Sequence, residues 1–256
     1  MEADFAGRVV IVTGAAGGFG AAAAKMFSEA GASLVLSDLR AEALTAVASS
    51  PYGEVRVVPG DIADPDLSAR LVATAEEEFG GLDIAVNNAG IVHDHMPLTR
   101  IPVETMRRVL EINLIGVFHA MQAELALMDR QFAESGRKGA IVNVASVAGV
   151  VAAPMLSAYA AAKHGVVGLT KTAAIEHARR GVRVNALCPS FARTPMVTDV
   201  LARDGGNTKE KMVAAIPMGR LAEVSEVMAG LRFLADPENG FVTGQTLHVD
   251  GGLTAR

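Results

Sequence analysis

"RVVIVTGAAGGFGAAAAKMFSEAG" runs from Arg8 to Gly31 and reads in order as a strand, a glycine loop and a helix. The run Arg8–Thr13 is apolar without alternation, as a strand covered on both faces should be. Gly14, Gly18 and Gly20 follow in the spacing T-G-x-x-x-G-x-G. Glycines at these points permit a tight turn and let the backbone approach a pyrophosphate. The helix that opens there offers free N–H groups and a positive dipole end to the same anion. A strand before and a helix after lift the pattern above a turn of small residues. Gly31 reads as the left-handed stop after the helix.

The same alternation continues along the chain. Further strands are expected at Ser33–Asp38, Val55–Val58, Asp83–Asn88, Ala140–Ser146, Val182–Leu187 and Thr246–Val249. Helical patterns fall at Leu67–Phe79, Val103–Met128, Leu156–Arg180 and Glu223–Leu234. Strand–helix alternation over the whole length predicts one α/β domain, residues 1–256, a Rossmann-like doubly wound sheet of about seven parallel strands with helices on both faces. The segment Pro195–Met218 is the least regular and reads as a mobile lid.

Composition narrows the function. Half of the 256 residues are apolar and aromatics make up only 4 %, so the core is aliphatic and small-residue-rich. The net charge is −5 with no basic stripe, which argues against a nucleic-acid partner. A single cysteine, Cys188, excludes an intrachain disulfide and fits a reducing compartment. The N-terminus lacks a basic region and a cleavage site, and no apolar run is long enough to span a bilayer. A cytoplasmic location without membrane partners is expected.

Asp38 closes the second strand, where its carboxylate can accept from both adenosine ribose hydroxyls and repel a 2′-phosphate. This favours NAD over NADP. Arg40 is a counter-signal, but neither Gly17 nor Leu39 is basic, so no cationic pair forms at the phosphate position. In "GDIAD" (Gly60–Asp64), Asp61 and the backbone are placed to hydrogen-bond an adenine edge, and Asp64 reads as a helix N-cap. "NNAG" (Asn87–Gly90) brings small residues to the carboxyl edge of the sheet, where ligands bind in such folds.

"SAYAAAKHG" (Ser157–Gly165) puts Tyr159 and Lys163 one helical turn apart. A free phenol titrates near pH 10, and a nearby ammonium is expected to lower it into the range of useful acid/base chemistry. Ser146, at the end of the fifth strand, can hydrogen-bond a substrate carbonyl and the alkoxide that develops from it. Lysine can also grip the nicotinamide ribose.

With these motifs in hand, the chain resembles the short-chain dehydrogenase/reductase family in its compact single-domain form. The likeness runs through "TGAAGGFG", Asp38, "GDIAD", "NNAG", "EINLIGVF", "NVAS", "YAAAK", the segment "CPSFARTPM" and the closing "GQTLHVDGG". It implies an NAD-dependent oxidoreductase interconverting a secondary alcohol and a ketone. By the resemblance Asn113 joins Ser146, Tyr159 and Lys163 in a catalytic tetrad, locally distorts its helix and supports a water-mediated proton relay to the lysine. Periodicity alone places Asn113 on a solvent-facing helix surface. The implied cofactor set comprises Gly14, Gly18, Phe19 and Gly20; Asp38 and Leu39; Asp61 and Ile62; Asn88, Ala89 and Gly90; and Tyr159, Lys163, Pro189 and Thr194. Thr194 holds the nicotinamide carboxamide, with Ser190 standing where the family has glycine. A homotetramer is implied, with interfaces on the helices around Val103–Met128 and Leu156–Arg180.

Substrate contacts are expected from Ser146 and Tyr159, with Met155, Phe191 and Met196 as apolar wall. His93 and His95 read as exposed loop histidines, or as groups that orient a polar substrate; with no third ligand they make no metal site. Cys188 reads as a buried inert thiol. Asp204 and Lys209–Lys211 read as solvated charges. Three rival activities remain: a 3-oxoacyl-thioester reductase of the same family, a cofactor-binding protein without catalysis, and an epimerase or dehydratase of the larger related type. The last usually needs a C-terminal substrate domain, and here "VDGG" (Val249–Gly252) nearly ends the chain.

Overall fold

A computed structural model describes residues 5–48, 53–195, 197–198 and 207–255. Seven strands form one parallel sheet in the order β3-β2-β1-β4-β5-β6-β7. They are β1 (Val9–Thr13), β2 (Ser33–Ser37), β3 (Val55–Val57), β4 (Ile84–Asn87), β5 (Gly139–Val144), β6 (Val182–Pro189) and β7 (Thr246–Val249). The helices are α1 (Gly18–Glu29), α2 (Ala41–Ala48), α3 (Pro65–Phe79), α4 (Val103–Leu110), α5 (Gly116–Ser135), α6 (Ser157–His177), α7 (Asn207–Ala215) and α8 (Val224–Ala235).

Burial explains why the strands do not alternate in sequence. All of β1 is buried: Val9 and Ile11 pack with Leu67, Leu71, Met121 and Val166 of α3, α5 and α6. Val10 and Val12 face the other way, against Phe27 of α1 and Leu231 of α8. The strand order reverses beside β1, which is followed by β2 on one side and flanked by β4 on the other. That switch opens a crevice at the carboxyl ends of these strands.

Local signals set the helix ends. Gly17 precedes α1 with no capping side chain, which leaves the first N–H groups free for a ligand. Gly31 takes φ 84° after it, as the sequence predicts. Asp64 caps α3, accepting from Asp66 N at 3.0 Å, with Pro65 in the first turn.

Three elements differ from expectation. The helix that periodicity predicts over Val103–Met128 is broken by a π-helical turn at Glu111–Ile115, between α4 and α5, in line with the local distortion at Asn113 that the family resemblance implies. α2 was not foreseen: it is short, and only Leu44 is among its buried residues. α7 lies within the segment expected to be irregular, where Met212 and Ile216 pack with Leu221 and Phe191. Residues 196 and 199–206 of that segment, Met196 and Asp204 among them, lie outside the described residues.

Candidate active site

The glycine loop is tight enough that side chains cannot enter it. A Cβ on Gly20 would lie 2.0 Å from the Gly14 carbonyl oxygen. A Cβ on Gly14 would lie 2.8 Å from Asn88 Nδ2 and 2.9 Å from Ala89 Cα. Asn88 fixes this closeness by donating to the carbonyls of Thr13 at 3.0 Å and Gly14 at 3.2 Å. Thr13 Oγ1 accepts from the N–H groups of Asn88 and Ala89, both at 3.1 Å. The "NNAG" turn is thus laced to the loop after β1. Thr194, 7 % exposed, approaches the same loop: a Cβ on Gly18 would sit 3.9 Å from its Cβ. A cradle of this shape, with free N–H groups at its helix end, fits a dinucleotide pyrophosphate.

Asp38 lies at the end of β2. Its Oδ2 accepts from Ala16 N at 3.0 Å, which braces the glycine loop. Its Oδ1 accepts from Arg40 N at 3.0 Å and Arg40 Nε at 3.3 Å. Arg40 is therefore engaged by the carboxylate that it was weighed against. Leu39 is exposed, and Phe19 packs against the α1 face of the core. Asp61 makes a contact that the sequence did not suggest. Arg108 of α4 donates to its Oδ2 at 2.8 Å and Ala63 N to its Oδ1 at 3.0 Å, and the two hold its carboxyl below the usual range. Ile62 is buried, close against Gly116.

Asn113, Ser146, Tyr159 and Lys163 converge. The π-turn directs Asn113 inward, where it is fully buried. Its amide clasps the backbone of Ile91: Oδ1 accepts from Ile91 N, and Nδ2 donates to Ile91 O, both at 2.8 Å. A Cβ on Gly90 would lie 3.2 Å from Asn113 Oδ1 and 3.7 Å from Lys163 Nζ, so these groups meet around one glycine. Lys163 is buried, donates from Nζ to Val144 O at 2.7 Å, and lies 5.7 Å from the centroid of the Tyr159 ring. Ser146 begins a short 3-10 turn, accepting from Ala148 N at 3.1 Å, and is hydrogen-bonded to the Tyr159 side chain.

The electrostatics depart from the sequence reading. Burial raises the Tyr159 phenol above its ordinary value, and the hydrogen bond with Ser146 offsets part of the rise. The Lys163 pKa is pushed down to about 8 by burial. The expectation that the ammonium lowers the phenol is corrected here: burial is the dominant influence on the phenol, and Nζ, 5.7 Å from the ring centroid, donates to the Val144 carbonyl. Cys188, fully buried behind this group, is pushed up to about 11 by burial, as an inert thiol should be.

Around the tetrad, Met155 is exposed with φ 70°, and Phe191 packs on the α7 cluster. Pro189 ends β6, and Ser190 N donates to Val249 O at 3.2 Å. Lys209 and Lys211 are exposed, as read. His95 is also exposed, but His93 is not: at 8 % exposure it is buried, contrary to the exposed-loop reading. Among the described residues no group of three His, Cys, Asp or Glu side chains is placed to hold a metal. None of the helices in these residues is long and apolar enough to cross a membrane.

A parallel doubly wound sheet, a glycine cradle at its switch point and a Ser–Tyr–Lys cluster beside it define a nucleotide-linked α/β oxidoreductase. The chain belongs to the short-chain dehydrogenase/reductase family. Residues 14–254 match the family model described as enoyl-(acyl carrier protein) reductase. The chain is 42 % identical over 257 residues to cis-4-hydroxycyclohexanecarboxylate dehydrogenase of Sinomonas cyclohexanicum, covering 100 % of both chains. It is 39 % identical over 252 residues to 2,5-dichloro-2,5-cyclohexadiene-1,4-diol dehydrogenase of Sphingobium indicum, covering 98 % of this chain and 99 % of that one. The crystal structure of levodione reductase superposes with a TM-score of 0.91 at 35 % identity, covering 98 % of this chain and 99 % of the other. The relatives act on CH–OH groups, and this chain is an oxidoreductase of that kind.

Proposed function

We propose that the protein is an NAD-dependent dehydrogenase that interconverts a secondary alcohol on a six-membered ring and the corresponding ketone. The observation that carries this reading is the meeting of Asn113, Ser146, Tyr159 and Lys163 beside the glycine cradle. The ring substrate rests on the names of the relatives. Asp38, with its carboxylate at the loop and Arg40 already engaged, supports NAD over NADP.

The pyrophosphate cradle is Gly14, Gly18 and Gly20, with Phe19 in its helix turn, and Asp38 and Leu39 border the ribose position. Asp61, Ile62 and the Asn88–Gly90 turn border the adenine side, while Pro189 and Thr194 lie towards the nicotinamide. A bound nicotinamide supplies the hydride acceptor for the alcohol. Ser146 holds the reacting oxygen; in reduction the Tyr159 phenol gives that oxygen its proton, and in oxidation Tyr159, having first released its own proton towards solvent, takes the alcohol proton as the phenolate. Lys163 is a cation at neutral pH. Asn113 pins the Ile91 backbone beside Gly90, and the Val144 carbonyl seats Lys163.

Substitution of Tyr159 by Phe keeps the ring and removes the acid/base group. Turnover of a cyclic secondary alcohol with NAD, followed by absorbance of reduced nicotinamide, should fall by at least about 100-fold. Full turnover in the variant overturns the mechanism. A panel containing 3-hydroxyacyl thioesters tests the second reading, a 3-oxoacyl-thioester reductase, which rests on the description of the family model. NADH binding without turnover on any alcohol would instead favour a non-catalytic role.

The 256 residues are read as one domain acting in the cytoplasm on a small molecule, without nucleic-acid or membrane partners. Val103, Ile115, Phe118 and Ile175 are exposed apolar residues on and beside α4, α5 and α6, which supports assembly through those helices as a homotetramer.

A further inference from the structure

His93 lies in a loop tied at both ends to the catalytic edge. At one end, Asn113 clasps Ile91, which packs in a cluster with Tyr159. At the other, Met96 N donates to Met155 O at 3.0 Å. Met155 is the one non-glycine residue with positive φ among the described residues, and such backbone strain concentrates at ligand sites. Within this bridge Asp94 and His95 are exposed, and His93 is the buried side chain.

The ring of His93 is half satisfied. Its Nδ1 lies 2.7 Å from the carbonyl oxygen of Asp94. A carbonyl only accepts, so Nδ1 carries the proton and Nε2 of the neutral ring is a bare acceptor. Nε2 is buried and has no partner among the described residues. A buried acceptor left unpaired is unfavourable, and in native structures it calls for an explanation. The group that would complete it must donate a hydrogen bond.

We propose that His93 Nε2 accepts a hydrogen bond from a second hydroxyl of the substrate, so that the enzyme prefers cyclic diols to simple cyclic alcohols. This rests on the dehydrogenase reading above. The reacting oxygen is occupied by Ser146 and Tyr159, so the donor sits elsewhere on the substrate. A ring carrying two hydroxyls offers one to the tyrosine and one to the histidine. The carbonyl of an acyl thioester has no proton to give.

The test pairs two substrates, cyclohexanol and cyclohexane-1,4-diol, across wild type, His93→Phe and His93→Gln. Wild type should favour the diol in kcat/KM by about tenfold or more, the scale of one buried hydrogen bond. In His93→Phe that preference should vanish, mainly through KM, with cyclohexanol within about twofold of wild type. His93→Gln keeps an acceptor oxygen and should recover part of the preference. Equal losses on both substrates, or an unchanged preference, overturn the proposal. A second readout is independent of turnover: the Nε2 resonance of His93 in the wild-type NADH complex. It should shift on addition of the diol and not of cyclohexanol. A shift without turnover would sink the dehydrogenase reading and leave the histidine contact standing. Turnover of both alcohols with an unmoved resonance would sink the histidine contact alone.

Discussion

Glu124 of α5 is a carboxyl 2 % exposed, and burial pushes its pKa from 4.5 up to about 7. Its Oε2 accepts from Asn87 Nδ2 at 3.0 Å, which offsets only part of the desolvation. The folded-state value is raised above the unfolded one, so the native state holds this proton more tightly. Stability from that source is fully present below pH 4.5 and is lost as pH rises through about 7. Linkage between those two values gives a loss of roughly 2.5 kcal/mol between pH 5 and pH 8 from this one group.

Glu124→Gln keeps an acceptor for Asn87 and removes the titration. Urea unfolding of both proteins at pH 5 and at pH 8 isolates the effect, because every other group titrates in common. At pH 5 the two midpoints should lie close together. At pH 8 the variant should be the more stable by about 2 kcal/mol. Parallel pH dependence in the two proteins would refute the assignment, because it would mean that Glu124 ionises in the native state without penalty.

Two further substitutions probe the cofactor end. Gly20→Ala would place its methyl 2.0 Å from the Gly14 carbonyl, so NADH binding by fluorescence titration should be lost and the melting temperature should fall. Unchanged NADH affinity would refute the close-approach role of the loop. Asp38→Ala removes an acceptor from the ribose position and frees Arg40 to meet a phosphate. The ratio of kcat/KM for NAD over NADP should then fall by about tenfold or more, and an unchanged ratio would mean that Asp38 does not select the cofactor.

Most strands were legible because each is a compact apolar run covered on both faces; β3 and β7 are partly exposed and were legible from their short runs alone. β7 has the predicted bounds, Thr246–Val249, and β1 begins one residue late. The glycine loop was legible for a related reason: backbone packing leaves no room for a side chain, and only glycine satisfies that. The π-turn at Glu111–Ile115 was missed by periodicity, since a single inserted residue shifts the apolar face too briefly to be told from scatter within one long helix. Family likeness alone pointed Asn113 inward. His93 was misplaced because its neighbours Asp94 and His95 are polar and exposed, and a one-residue burial inside a loop has no period to detect. The phenol was misjudged because i,i+4 spacing fixes which residues are neighbours but not how far the surrounding fold buries them, and burial dominates at Tyr159.

The buried polar groups beneath the crevice explain how two halves of the site are held in one frame. Asn87 and Asn143 are register partners on β4 and β5, joined side chain to side chain at 3.0 Å. Asn143 Nδ2 donates to Thr170 Oγ1 of α6 at 2.8 Å, and Asn87 reaches Glu124 of α5. The next residue after Asn87 is Asn88, which ties down the glycine loop, and the next after Asn143 is Val144, whose carbonyl seats Lys163. A shift in either asparagine would therefore move the cofactor cradle and the catalytic lysine together. Apolar residues at these positions would fill the space but supply no register between the strands. A protonated Glu124 keeps this network free of net charge below about pH 7, and its ionisation introduces the one buried charge among these four side chains. The stability lost between pH 4.5 and about 7 is therefore drawn from the network directly under both functional groups.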